Sequence, residues 1–591
     1  MDVIEPKPKQ AGSYQPAPSL AVEQIKIYDA QKKQRDGIFA PDWQTIAQYF
    51  LPQDSDILTK KTEGVSGWTD QIYDATPIEC AETLKTGQYN WLTPPQQPWA
   101  EYSLPPEIDD PNGEGAKFLG HASDVVLLEF ARCNFYSMAS LSYLGCGVFG
   151  TDFLLCEENP KGYPALNFRH AKIGTYTIEE DSEGIVDTTR REFEWNIRKL
   201  KQFFGEDALP EEMLRQAAGD QGGQKKFKIL HCIFPRADSD RMPRRYDGAN
   251  KPIASVYISL DFKKCIQISG YDEQPGIVSR FDKWGTDAPW GYGPAYLGLP
   301  IARQLNYVQM YMDALAELHA YPRVLIPDNL DGDVDLRAGG MTVWDSSNPN
   351  AKPTEWSTVG DYKLGLDMQT QRRDQLRDAF KTKAFKLLNS MPLLDKRMTA
   401  FEISQRQAEM LGDFTPSFAR RVTEFINPVM LRAFGICQRR GMFGKAPDCL
   451  FREVRPGVKS MIVPRVVVSN RMTDALRALK NRAIEETFQF MLPIAQAGKP
   501  EIFDVLLIDD TVREYALNSG VPPELIRPLK GENSLEALRA QRAQMLKAQR
   551  AAQLAESMGK AAKGLGGAPD WMQGEAENQF KTLKAGGEEA A

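Results

Sequence analysis

Apolar residues recur at steps of three and four over residues 297–321. Ile301, Leu305, Val308, Met312, Leu315 and His319 fall on one mostly apolar stripe, the period of an amphipathic helix. Pro300 lies in the expected first turn, where proline is tolerated. Pro322 ends the helix, because it lacks an N–H and disfavours the helical state of the residue before it. About 25 residues at ~1.5 Å each make a rod of roughly 38 Å. A non-helical stretch follows, Arg323 to Val359, carrying VLIP, MTVW and several Asp, Gly and Asn residues. A second helix is expected from about Leu364 to Leu388. It is far more polar, with Arg372, Arg373, Arg377, Lys381, Lys383 and Lys386. Asn389-Ser390-Met391-Pro392 breaks it. Thr399 to Glu402 reads TAFE, a capping box that starts a third helix. Two rods flanking a small module, with a loop before a third rod, fit a scaffold better than an enzyme pocket.

The flanking regions have a different grain. Residues 1–18 are rich in Pro, Gln and Lys, the composition of a loose arm. Ser19 can cap a helix to about Asp36, and another follows Pro41. Thr76 with Pro77 reads as an N-cap and first helical position, for a helix ending near Leu92-Thr93-Pro94-Pro95. Trp91 and Trp99 flank that turn and read as core. From about Ala116 to Leu144 the pattern is helical again. After Gly150 the period switches to strands: TDFLLCEE, GTYTIEE, a turn at Asp181-Ser182-Glu183-Gly184, then IVDTTRREFEW. Short helices at 196–204 and 210–218, and strands at 226–234, 254–261 and 265–270, complete an α+β first half. Beyond the rods, 416–441 is helical with a kink expected at Pro428, and 465–468 is strand-like. Helices are expected at 473–497, 501–518 and 523–528. Asn533 to about Met558 is an Ala-, Gln- and Arg-rich helix whose apolar stripe is thin, so it needs neighbours. Residues 559–591 have the composition of a disordered tail. There is no convincing internal repeat.

Length and charge narrow the options. A chain of 591 residues exceeds one core and allows three or four domains. Its net charge of −7 lacks a whole-protein nucleic-acid-binding signature, so any DNA contact is local. Eight scattered cysteines without C-x-x-C spacing fit free thiols in a reducing compartment. No apolar signal segment opens the chain, and no run of about 18 apolar residues occurs.

Catalytic motifs fail on context. Gly145-Cys146-Gly147-Val148-Phe149-Gly150 matches G-x-G-x-x-G, but a helix precedes it and a strand follows, the reverse of a dinucleotide site. It reads as a tight helix-to-strand turn. There is no P-loop and no nucleophile elbow. His121, His170, His231 and His319 lack metal spacing. Asp328, Asp331, Asp333 and Asp335 crowd one loop without the later glutamate of a calcium loop. On the second rod, Asp374–Arg377 and Asp378–Lys381 can form i,i+3 ion pairs. The other reading of that rod is a helix facing a polyanion.

Several motifs together resemble one family. They are Trp43 with Tyr49 and Pro52; Asp74 with Thr76; Leu92-Thr93-Pro94-Pro95 with Pro98-Trp99; and Gly145, Gly147 and Gly150. Then come Gly184, Val186 and Asp187 with Arg191 and Phe193; Tyr292-Gly293-Pro294-Ala295; Met398-Thr399-Ala400 with Glu402; Pro428 in the helix ending at Gly441; and Gly520-Val521-Pro522. Their order and spacing, over residues 40–550, resemble the portal, or head-to-tail connector, proteins of short-tailed bacteriophages. Phe401 stands where relatives commonly have threonine, which leaves the capping pair intact.

The resemblance implies a multi-domain α+β portal fold. After a flexible arm (1–18) come an α+β wing (19–295), a stem helix (296–322), a clip (323–360), a second stem helix (361–388) and a tunnel loop (389–398). A long kinked helix (399–441), a helical crown (442–532), a C-terminal barrel helix (533–558) and the tail (559–591) follow. It further implies a ring, usually of twelve subunits, at one capsid vertex, without catalysis, cofactor or membrane. The implied partners are terminase, tail adaptor or nozzle proteins, scaffolding and major capsid proteins, and double-stranded DNA passing through. Assembly would occur in the bacterial host cytoplasm. A ring of acidic copies repels DNA and lets it slide, so local cations become the contact candidates: Arg372, Arg373, Arg377, Lys381, Lys396 and Arg397. The aspartates 328, 331, 333 and 335 become docking candidates on the clip. Another head–tail or internal core protein, or a hydrolase with hidden carboxylates, stays open as an alternative.

Overall fold

The computed structural model describes residues 18–58, 72–105, 107–108, 113–219, 223–237, 247–285, 288–320, 324–326, 354–355, 362–382, 415–455, 458–468, 471–496, 505–519 and 538–550. It also describes the single residues 110, 241, 328, 335, 343, 347, 521, 526, 535 and 553.

Helices α1 (Pro18–Ile38) and α2 (Ala40–Phe50) open the chain, the second with Pro41 in its first turn. In α3 (Thr76–Leu92) the cap lies upstream of its expected position. The Asp74 carboxylate accepts the Thr76 N–H at 2.8 Å, so Thr76 itself is helical. Strand β1 (Ala100–Ser103) precedes α4 (Glu114–Arg132) and α5 (Phe135–Phe149). The helical stretch expected over 116–144 is thus two helices with a break between them. The break falls where Asn134 hydrogen-bonds both backbone groups of Phe168, at 2.7 and 2.9 Å, a side-chain alternative to continuing the helix. The Trp99 ring stacks on Phe130 and Phe135, and both Trp91 and Trp99 are buried.

Gly150 ends α5 with φ 79°, and a Cβ there would overlap the Tyr292 backbone. Gly150 alone makes the helix-to-strand turn expected of the glycine run; Gly145 and Gly147 lie inside α5, where a Cβ would come within 2.7 Å of Asp152 and 2.9 Å of Leu84, respectively. Ten elements follow: β2 (Thr151–Glu158), β3 (Leu166–Ala171), β4 (Tyr176–Glu180), β5 (Val186–Asn196), α6 (Ile197–Phe204), α7 (Glu211–Ala218), β6 (Lys226–Pro235), β7 (Ile253–Ser259), β8 (Lys264–Tyr271) and β9 (Gly276–Arg280). The strands form two antiparallel sheets, β4-β5-β6-β7-β8 and β3-β2-β9. β3 and β9 have no counterpart in the sequence reading, because segments this short carry too few positions to show a period.

The five-stranded sheet is covered on both faces, which is why β6 is a nearly continuous apolar run. Ala21 and Tyr28 of α1 pack on Leu230, Cys232, Val256 and Ile258. Leu200, Leu209 and Met213, from α6, α7 and the turn between them, pack on Phe227, Ile229, Tyr257 and Ile266. Burial pushes the Cys146, Cys156 and Cys232 thiols up to about 12.

The short strands β10 (Asp282–Lys283) and β11 (Gly291–Tyr292) lead to α8 (Pro294–Ala320). β12 (Val324–Leu325) pairs antiparallel with β13 (Thr354–Glu355), and α9 (Tyr362–Ala379) follows. α8 begins three residues before the expected start, so Pro300 lies inside the helix and not in its first turn. α9 ends at Ala379, short of the expected Leu388: Phe380 turns into the core against Phe50, with ring centroids 5.3 Å apart, and Lys381 has φ 51°. Residues 383–388 and the TAFE box lie outside the described residues.

The kinked helix is α10 (Thr415–Arg421), a π-turn (Val422–Ile426) and α11 (Asn427–Arg439). Pro428 has no N–H for the Glu424 carbonyl, and the ladder widens there. Arg280 grips Glu424 at 2.7 Å and also pairs with Glu180. Burial disfavours its charge, but these two carboxylates outweigh it and raise its pKa.

The remaining elements are β14 (Phe451–Arg455), β15 (Val458–Met461), β16 (Arg465–Val468), α12 (Arg471–Gln496) and α13 (Ile508–Asn518). The last is shorter than the expected 501–518. β16 pairs with β1 and β14 with β15. The chain divides into two compact units. The first is Met1–Ser103, Leu119–Lys445 and Val463–Phe488; the second is Leu104–Phe118, Ala446–Ile462 and Gln489–Ala591. Within the second, Asp509 pairs with Arg539 at 2.5 Å. Residues 539–550 are exposed all round, as the thin stripe of that helix implied.

Candidate functional site

The two rods form an antiparallel hairpin. Met312 of α8 meets Gly365 near the start of α9, Gln309 hydrogen-bonds Gln369, and Gly298 meets Leu376 and Phe380 near the end of α9. Two glycines set how closely the helices approach. A Cβ on Gly365 would overlap Met312 Sδ, and one on Gly298 would lie 2.9 Å from Leu376 Cδ1 and 3.3 Å from the Phe50 ring. The stripe buried on α8 is Ala295, Gly298, Ala302, Leu305 and Met312, rotated from the expected one. Leu305 and Met312 belong to both stripes, whereas His319 is exposed.

One short segment holds both rods. The Tyr73 N–H donates to Asn306 Oδ1 on α8 at 2.7 Å. The Arg373 guanidinium of α9 donates to Asp74 Oδ2 from Nε at 2.9 Å and from Nη2 at 2.7 Å. The other Asp74 oxygen caps α3. Asp74 is only 3% exposed at its side chain and Arg373 34%. One buried carboxylate thus joins a helix start to a rod. One turn along, Arg377 approaches Glu79 at 3.9 Å and Asp374 at 3.7 Å, the latter being one of the two expected i,i+3 pairs.

The sequence candidates are placed as follows. Arg372 donates to Gln375 at 2.8 Å, Arg373 holds Asp74, Arg377 lies by Glu79, and Lys381 is exposed at the end of α9. Asp328 is exposed and Asp335 half-buried. Asp331, Asp333, Lys396 and Arg397 lie outside the described residues. Among the described residues no group of three or more His, Cys, Asp or Glu stands ready to hold a metal. No described helix is long and apolar enough to cross a membrane. Sequence reasoning had Asp74 as a motif residue without a partner and missed Asn306 altogether. The signal for the close approach was the glycine inside each rod, where glycine is otherwise unfavourable.

Relatives cover nearly the whole chain. The chain is 26% identical over 544 residues to the portal protein of Salmonella phage epsilon15, covering 91% of this chain and 94% of the relative. It is 26% identical over 534 residues to the probable portal protein of Bordetella phage BPP-1, covering 88% and 91%. A chain of the virion of a native gene transfer agent particle aligns at 10% identity and a TM-score of 0.32, over 73% of this chain and 88% of that one; that likeness carries no argument. The profile of the bacteriophage head to tail connecting proteins matches residues 23–526, and the chain belongs to that family.

Proposed function

We propose that this chain is the portal subunit of a short-tailed phage. Copies, twelve in the family's usual arrangement, form a ring at one capsid vertex. DNA enters through its axis during packaging and leaves through it on ejection. The observation that carries the reading is the colinear likeness to the epsilon15 portal protein over about nine-tenths of both chains. In this reading 19–295 is the wing, α8 and α9 are the stem, 323–360 is the clip and 389–398 the tunnel loop. The kinked helix, crown, C-terminal barrel helix and tail occupy the remaining segments. The clip docks terminase and then tail adaptor proteins, with Asp328, Asp331, Asp333 and Asp335 as its contact candidates. Scaffolding and major capsid proteins meet the ring as it assembles in the host cytoplasm. The role is a conduit, without a catalytic step.

Arg372, Arg373, Arg377, Lys381, Lys396 and Arg397 are the candidates for brief phosphate contact, and of these Arg372, Arg373 and Arg377 also meet Gln375, Asp74 and Glu79 within the subunit. Negative-stain microscopy of the purified full chain tests the proposal. A ring with a central hole supports it, and a single globule at high concentration, with no pore, overturns it.

A further inference from the structure

A layer of polar side chains is buried between the two antiparallel sheets. Arg191, His231 and Tyr257 stand directly opposite one another on β5, β6 and β7, so they share one face of the five-stranded sheet. Glu157 of β2 and Arg169 of β3 meet that face from the three-stranded sheet. Glu157 Oε1 accepts from the Tyr257 and Tyr271 hydroxyls, each at 3.3 Å, and Glu157 Oε2 lies 3.3 Å from Arg169 Nε. The Tyr257 ring stacks on His231 with centroids 3.9 Å apart, and Arg191 Nε donates to His231 Nδ1 at 3.2 Å. An unbroken chain of contacts thus runs from Arg169 to Arg191.

The charges in this layer do not balance. Among the described residues Arg169 has Glu157 as its carboxylate, whereas Arg191 has none. Arg191 Nη2 is buried without an acceptor, and so is Arg169 Nη1. His231 Nδ1 accepts from Arg191, so its Nε2 carries the proton and donates to Ser255 Oγ at 2.9 Å. Burial, then Arg191 and Arg169, hold this histidine well below its usual range, so the ring adds no charge. Arg432, over the Tyr271 ring, brings its own carboxylate in Glu273. Two guanidiniums against one carboxylate leave an excess of one positive charge. Arg191 is only 7% exposed, and a guanidinium cannot shed its proton to escape burial. Phe193 under Arg191, and Trp195 and Phe203 under Arg169, lessen the cost of burying cations. They carry no charge to cancel the excess, and a buried charge left unpaired is strongly destabilising.

We infer that this layer binds one small monovalent anion of the halide class, held by Arg191 Nη2 with Arg169 Nη1 beside it. A single negative charge matches the excess. A divalent phosphate or sulfate would overshoot it, face the Glu157 carboxylate and lose more hydration on entering. The bound ion would tie β3 of one sheet to β5 of the other. The inference is independent of the conduit role, which stands whether or not this site exists.

The test uses the purified full chain in sodium gluconate, with sodium bromide exchanged in at constant ionic strength. The wild-type Tm should rise by about 2 °C or more and then level off, as saturation of a site requires. Arg191→Met keeps much of the side chain's bulk and removes the excess charge; its Tm should not respond. Arg215→Met, at an exposed arginine of α7, should keep the wild-type response. Crystals of the wild type grown in sodium bromide give the direct reading. An anomalous peak at hydrogen-bond distance from Arg191 Nη2, together with the saturable shift, supports the site; should Arg191→Met fail to fold, the peak decides. A water at that position without a bromide peak overturns the inference, as does an equal Tm response in Arg191→Met.

Discussion

Asp74 and Arg373 make the sharpest test of how the α8–α9 hairpin is held. Asp74→Ala removes the α3 cap, worth about 1 kcal/mol, and the carboxylate oxygen that accepts both Arg373 donors. Losing one member of a fully buried pair costs about 3–5 kcal/mol. Arg373 is 34% exposed and can recover water, which reduces that part to about 1–2 kcal/mol. Asp74→Ala should therefore cost about 2–3 kcal/mol locally. Arg373→Ala leaves a carboxylate only 3% exposed with the Thr76 N–H, and should cost a similar amount. Because each single change already loses the shared bond, the double variant should fall short of additivity by about 1–2 kcal/mol. A chain of this size is not expected to unfold in one step. The assay is therefore native-state hydrogen exchange, read at the first turn of α3 and along α9. Packaged DNA per particle gives the functional arm. If Arg373 acts through Asp74, the two single variants and the double should package alike. Additive exchange free energies, or a DNA-retention defect in Arg373→Ala that Asp74→Ala does not share, would refute this account.

Gly150→Ala places a side chain at φ 79° against the Tyr292 backbone and should cost more than about 2 kcal/mol, seen as lost soluble expression or a lowered Tm. The His170 ring nitrogen lies 2.6 Å from buried Asp152. Burial disfavours the imidazolium, but Asp152 outweighs it and raises the pKa. The pair's stabilisation is then full below the unfolded histidine's pKa of about 6.5 and is lost as pH rises through the raised folded value. Denaturation at pH 6 and pH 8 should show a loss in wild type that His170→Gln lacks. Cys146, Cys156 and Cys232, buried and with thiol pKa values near 12, should resist a thiol reagent at pH 8 until urea is added; rapid native labelling would contradict their burial. Changing Lys396 and Arg397 to Ala should alter packaging or genome retention while rings still assemble, and unchanged packaging and retention would reject their DNA contact.

Local chemistry carried a large part of this fold. The stop after Leu92, the Asp181–Gly184 turn, the Gly150 turn, the Pro428 kink and most strands of the five-stranded sheet were legible because each depends on backbone rules acting within a few residues; Pro322 lies outside the described residues. The likeness to head-to-tail connectors was legible for a related reason: order and spacing of such local features are themselves a property of the sequence. Partners across long separations were not legible. Nothing near Asp74 signals that Arg373 will grip it, nothing near Asn306 that Tyr73 will donate to it, and the strand at 276–280 shows no period long enough to reveal its pairing with β2. The basic character of the second rod was plain in the sequence, but which way Arg373 and Arg377 turn was settled by Asp74 and Glu79 at the start of α3. Side-chain period fixes a helix's faces, whereas what each face meets depends on packing between segments hundreds of residues apart. That packing is where the hairpin of α8 and α9 is braced by residues 73–79.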